Sequence, residues 1–266
     1  MSKVLLWETK TAGKPYYFSA FHQWIESYEE LCYIISKRMI YFFVFGIPED
    51  LKVWLREEFR IQLKSSDIKR QLTDIVEFKN FFTLDEKREL MERIRKMFLQ
   101  TPSKKYWILG EDFRKNRQYL SAFTAYEKVL PGMMQFSKEE QVQIYYYMGI
   151  CLCQMFQFEE AFVYLKKGIQ AGKPNRCQLA METVLFLTLN QEAFIQELCK
   201  NGKSESQANG IYEQLDERKN LVMQGNEFVK LDKIAYHKKK LDDTMQNRLT
   251  KSMLEQWKDE YKREIS

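Results

Sequence analysis

Residues that break helices are scarce, with 10 glycines and 5 prolines in 266 residues. So few breakers, with many long side chains beside them, favour helices joined by short connections. Histidine is nearly absent (His22 and His237), and no two of the five cysteines stand in CxxC spacing. A zinc site therefore lacks its ligands, and reduced, buried cysteines in a cytoplasmic protein are the expectation. Long apolar runs are also missing: the most apolar stretch, Met39 to Ile47, is too short to span a bilayer. Val4-Leu5-Leu6-Trp7 is too brief for the core of a secretory leader, so a soluble chain with no membrane partner is expected. Charge of one sign is not in large excess: 42 basic against 37 acidic residues leave +5. Nucleic-acid binders usually carry a more lopsided surface, so nucleic acid is not an expected partner. His237 and Lys238–Lys240 precede Asp242-Asp243 and suggest a solvated helix face, although Arg248 and Lys251 could extend them into a phosphate-contacting strip. GxSxG, P-loop, HExxH and GxGxxG patterns are all missing. No catalytic residue, metal ligand or cofactor-binding residue is expected, and the chain is read as no enzyme.

What is present is a composition 45% hydrophobic and 30% charged, that of a folded globular chain. Residues 1–101 form a first region. Val4–Trp7 and Tyr16–Ile25, separated by Thr11-Ala12-Gly13-Lys14-Pro15, suggest a small β-hairpin. Ser27 and Glu30 then have the spacing of a capping box for a helix carrying Leu31, Ile34, Ile35 and Phe42. Past Ile40 that segment is apolar all round, either buried on every side or turning into a strand. A second helix is expected from Glu49 with Leu51, Trp54, Leu55, Phe59 and Leu63 on one face. A third follows Ser66-Asp67 with Ile68, Leu72, Ile75 and Phe82. A fourth starts at the capping box Thr83–Glu86 and is expected to stop at Pro102.

Residues 102–202 carry one pattern written twice. Tyr106-Trp107-Ile108-Leu109-Gly110 and Tyr145-Tyr146-Tyr147-Met148-Gly149 each have a large apolar residue three positions after the glycine (Phe113, Leu152). Each then has alanine at twelve (Ala122, Ala161) and a large residue at sixteen (Tyr126, Leu165). The spacing resembles the tetratricopeptide repeat, a helix–turn–helix unit of about 34 residues. The resemblance implies an all-α array of stacked hairpins in which Gly110 packs with Ala122 and Gly149 with Ala161. The glycine-to-glycine distance exceeds the family period by about five residues, placed in Pro131–Ser137 between the units, with Ser137–Glu140 capping the second. A third, degenerate unit keeps Met181 and Ala193 at the same separation, with a turn at Asn190-Gln191-Glu192. After Asn201-Gly202-Lys203-Ser204, residues 203–266 place Ile211, Leu215, Val222, Ile234, Leu241, Met245, Leu249, Met253 and Trp257 at helical spacings. These describe long amphipathic helices that either pack back on the array or serve for homodimerisation or partner docking.

The family resemblance further implies a concave groove lined by Lys104, Trp107, Glu111, Arg114 and Lys115 from the first unit. The second unit contributes Gln143, Tyr146, Tyr147, Ile150 and Gln154. Such a groove would be aromatic with a basic end, the residue types that dominate protein interfaces. The carboxylate clamp of chaperone-binding relatives is missing, since Trp107, Glu111 and Tyr147 stand at its positions. The expected function is a protein–protein interaction scaffold or adaptor that binds a protein or peptide partner. A client-specific chaperone and a nucleic-acid-binding regulator are the alternatives.

Overall fold

The computed structural model describes residues 11–79, 81–172, 175–239 and 243–265. It is all-α apart from one small hairpin, and it divides into two compact units, Met1–Met181 and Glu182–Ser266.

The first unit opens with strands β1 (Tyr16–Phe18) and β2 (Gln23–Ile25), antiparallel with Tyr16 opposite Ile25. The hairpin thus lies wholly within the second of the two expected segments; Val4–Trp7 lies outside the described residues. A single 3-10 turn at Ser19–Phe21 and a left-handed His22 (φ 52°) reverse the chain. Two strands alone would be marginal. Here Phe18 and Ile25 point inward and are buried, and the Phe18 ring stacks on Phe42 at 5.8 Å.

Four helices follow: α1 (Tyr28–Phe45), α2 (Glu49–Phe59), α3 (Ile68–Glu77) and α4 (Leu84–Phe98). Ser27 caps α1 by accepting from the Glu30 N–H. The Glu30 carboxylate, however, takes the N–H of Glu26 rather than that of Ser27, so the box does not close as expected. Past Ile40, α1 neither becomes a strand nor sinks entirely. It stays helical with Phe42 and Phe43 buried and Phe45 exposed, and Gly46 (φ 78°) ends it. Leu63 and Phe82 fall outside the helices to which the spacing assigned them, because Arg60 turns left-handed (φ 61°) after Phe59 and α3 ends at Glu77. Pro102 does not stop α4, which already ends at Phe98. It occupies the first turn of α5, behind a Thr101 cap, where its missing N–H costs nothing.

Two hairpins follow, α5 (Pro102–Lys115) with α6 (Tyr119–Glu127), and α7 (Lys138–Gln154) with α8 (Phe158–Ala171), joined by a 3-10 helix at Leu130–Gln135. Ser137 and Glu140 form the expected capping box at the start of α7. The two hairpins pack side by side through α6 and α7. Both glycines are buried at the hairpin cores, and the nearest side chain to each comes from the residue sixteen positions on. A Cβ on Gly110 would lie 2.5 Å from the Tyr126 ring, and one on Gly149 would lie 2.6 Å from Leu165 Cγ. In each hairpin the residue sixteen positions on seats in the glycine notch. Ala122 and Ala161 are both fully buried, and the Ala161 carbonyl oxygen also lies 3.4 Å from the would-be Gly149 Cβ. One continuous apolar core runs from Phe18 through α1–α4 into these hairpins as far as Cys151.

Burial also governs the thiols. It pushes Cys32 and Cys151 up to about 12 and Cys177 up to about 11, which leaves almost no thiolate at neutral pH. Treating the native protein with an aromatic disulfide reagent at pH 7.5 should therefore titrate half-buried Cys199 first and Cys153, whose thiol burial also raises, more slowly. The three buried thiols should react on unfolding; prompt reaction of all five would contradict this packing.

The helix α9 (Asn175–Thr188) crosses the division between the units. In the second unit its end meets α10 (Gln191–Lys200) and α11 (Glu205–Met223) in a three-ring cluster, Phe186 to Tyr212 at 5.2 Å and Phe194 to Tyr212 at 5.5 Å. Asn190 caps α10 and Ser204 caps α11, and Gly202 (φ 87°) makes the turn between them. α12 (Asn226–Lys239) and α13 (Asp243–Ile265) pack against each other. Of the expected stripe, Leu215 and Met253 are buried, Val222, Met245 and Trp257 are exposed, and Leu241 lies outside the described residues.

Candidate interaction surface

Helices α5 and α7 lie one hairpin apart and carry the residues that the repeat pattern singles out. The capped start of α7 brings Glu140 to Lys104, with Nζ to Oε1 at 2.7 Å. The same ammonium sits 3.8 Å above the Trp107 ring, and Phe136 meets that ring edge-on at 5.5 Å. Trp107 is thereby covered on two sides by its own unit, and its indole N–H finds no partner among the described residues. The hydrogen bond from Lys104 holds the Glu140 carboxyl below its ordinary range.

About two helical turns beyond Trp107, Arg114 donates to Glu111 (Nη2 to Oε2 2.8 Å) while its guanidinium sits over the Tyr147 ring at 3.9 Å. The Tyr126 hydroxyl donates to the other Glu111 oxygen at 2.5 Å, and its ring stacks on Tyr147 at 6.4 Å. Thus the ring that fills the Gly110 notch also orients the acid that neutralises Arg114. The hydrogen bond to Glu111 raises the Arg114 pKa, and burial, helped by Glu111, raises that of Tyr126. Gln143 donates to the Tyr147 hydroxyl at 3.3 Å, and Tyr146 leans on Tyr147 at 5.3 Å.

Of the ten groove positions, seven fall into two clusters that make up a wall across α5 and α7: Lys104 with Trp107, and Glu111 and Arg114 with Tyr147, Gln143 and Tyr146. Ile150 is half-buried and Gln154 exposed further along α7, and neither joins that network. Lys115 does not share the face of Arg114; it lines a separate cavity against α1 and α4. The basic end inferred from spacing is thus split, one cation already paired and the other turned elsewhere.

Arg38 carried no signal in the sequence and organises the junction between α1 and α5. α1 breaks there (φ −122°, ψ 35°). Arg38 Nε donates to Asp112 at 2.8 Å and Nη2 to Gln118 at 3.2 Å, with the guanidinium 3.9 Å from the Phe21 ring. Hairpin, first helix and first repeat-like unit are fastened by one side chain. Its partners lie 74 and 80 residues away, so no local pattern could announce it.

Among the described residues, no group of His, Cys, Asp and Glu is placed to hold a metal ion, and no helix is long and apolar enough to cross a membrane. Comparison with known proteins finds no matching family model, no similar curated protein and no similar solved structure.

Proposed function

We propose that the protein is a non-enzymatic interaction scaffold of the tetratricopeptide type, working in the cytoplasm, whose α5–α7 wall docks a protein or peptide partner. The observation that supports this reading is the doubled notch: Tyr126 against Gly110 and Leu165 against Gly149 repeat the same packing sixteen residues on. Repetition of that kind sets neighbouring hairpins side by side and lines their first helices up as one surface. The wall is rich in aromatic rings held rigid by ion pairs and stacking, a preorganised surface that loses little freedom on binding. Half-buried Tyr146, at the edge of the Tyr147 cluster, and half-buried Ile150 one turn on would be the anchors a partner meets.

The test is co-purification from cells of the native host. Tagged full-length protein is compared with the Tyr146→Ala/Ile150→Ala variant, after checking that the two melt at similar temperatures. At least one partner should be lost from the variant. Recovery of every partner at wild-type yield would remove the wall as the docking site.

A further inference from the structure

α5 has a second working face. Between it, α1 and α4 lies an open cavity of about 330 Å³. Its floor is apolar and half methionine: Met39 and Ile40 are buried, while Met97 and Ile108 are half-buried. Its rim is cationic, with Lys37, Arg93, Lys96 and Lys115 around the opening.

Two carboxylates also line it, and both are already engaged. Asp112 is held by Arg38 and Glu111 by Arg114 and the Tyr126 hydroxyl. Lys96 has Glu92 at 3.6 Å, whereas Lys37, Arg93 and Lys115 have no acidic partner in ion-pair contact among the described residues. The cavity therefore combines a greasy floor with uncompensated positive charge. Methionine floors adapt to side chains of different shape, and an arginine fork matches a carboxylate.

We propose that this cavity docks an acidic peptide segment of a partner protein, one aliphatic or aromatic side chain entering over Met39 and Met97 while flanking carboxylates meet Arg93, Lys115 and Lys37. The proposal rests on the scaffold reading and gives it a second surface and a partner chemistry. The cations are spread around an apolar floor instead of converging on one point, which suits an extended segment with several carboxylates better than a single small anion. Burying the apolar side chain supplies the affinity, and the rim supplies attraction and selection by charge.

The experiment uses the full chain and a displayed library of random linear peptides as the probe. Wild type should enrich peptides in which Leu, Ile, Phe or Met is flanked by Asp or Glu. For one synthesised hit, binding should fall about 10-fold or more in Arg93→Glu/Lys115→Glu, whose two sites are exposed, and stay unchanged in Tyr146→Ala. The same hit with Asn and Gln in place of its acids should bind weakly to wild type. Enrichment without acidic residues, no enrichment at all, or full affinity in the charge-reversed variant would each overturn the proposal. Loss in Tyr146→Ala instead would move the acidic site to the α5–α7 wall, overturning the cavity but leaving the scaffold reading intact. A rise in melting temperature with pyrophosphate, with no acidic peptide enriched, would mark a small-anion site and overturn the peptide.

Discussion

Gly110→Ala is expected to destabilise the Met1–Met181 unit by about 2 kcal/mol. Two opposing effects set that figure. Replacing a mid-helix glycine by alanine is ordinarily favourable by about 1 kcal/mol. Here the new methyl would sit 2.5 Å from a Tyr126 ring that is fully buried and tied to Glu111 by its hydroxyl, so it cannot swing aside. Overpacking of this kind costs about 3 kcal/mol and outweighs the helix gain. Gly149→Ala should have the same sign and a smaller size, since Leu165 is a flexible side chain with rotamers to spend. Gly210, in α11, has nothing within 4 Å of its would-be Cβ and serves as the control. Gly210→Ala should be neutral or stabilising by up to about 1 kcal/mol. Urea melts of the three variants decide the matter; a stabilised Gly110→Ala would mean that the notch is not filled as described.

The second large effect is expected at Arg38. Arg38→Met removes the cation facing Asp112 in a pair whose side chains are 15% and 17% exposed. It leaves a mostly buried carboxylate without its charge partner, at a cost of about 3 kcal/mol. Gln118 loses a donor and Phe21 its stacking guanidinium in the same step. The companion variant Arg38→Met/Asp112→Leu removes both charges and should recover much of the loss, because a well-packed apolar pair can substitute for a buried ion pair. A single substitution costing under about 1 kcal/mol would place the pair among ordinary surface salt bridges and contradict its role as the fastening of α1 to α5.

How much of this was legible in the residues depends on the distance over which each feature is determined. Caps at Thr83 and Ser137 involve residues three apart and could be read directly. The doubled glycine spacing could be read too, and the residue at sixteen was part of the pattern. Its role as plug was not visible, because small residues on facing helices invite a small-to-small pairing until the ring is seen in the gap. Helix ends were legible only where the backbone chemistry is unusual. Arginine in a left-handed turn at position 60 gives no warning, and Pro102 suits the start of a helix as readily as it forbids a continuation. The wall was half legible: the repeat pattern selects which α5 and α7 positions face one another. It does not show that Lys104 and Arg114 are already neutralised by Glu140 and Glu111, which follows from how the helices are set. Lys115 illustrates the remaining gap, since one residue's rotation along α5 takes it from the wall to the cavity beside α4.

The nesting of the two hairpins is tested most directly by native-state hydrogen exchange across α5–α8 in low urea, on wild type and Gly149→Ala. If Tyr126 and Leu165 lock equivalent notches in hairpins that support each other, the slow amides of α5–α6 and α7–α8 open in one cooperative step. The substitution in the second hairpin should then lower the opening free energy of the first as well. Hairpins that open independently, with α5–α6 exchange unchanged by Gly149→Ala, would contradict the nested array and the docking wall built on it.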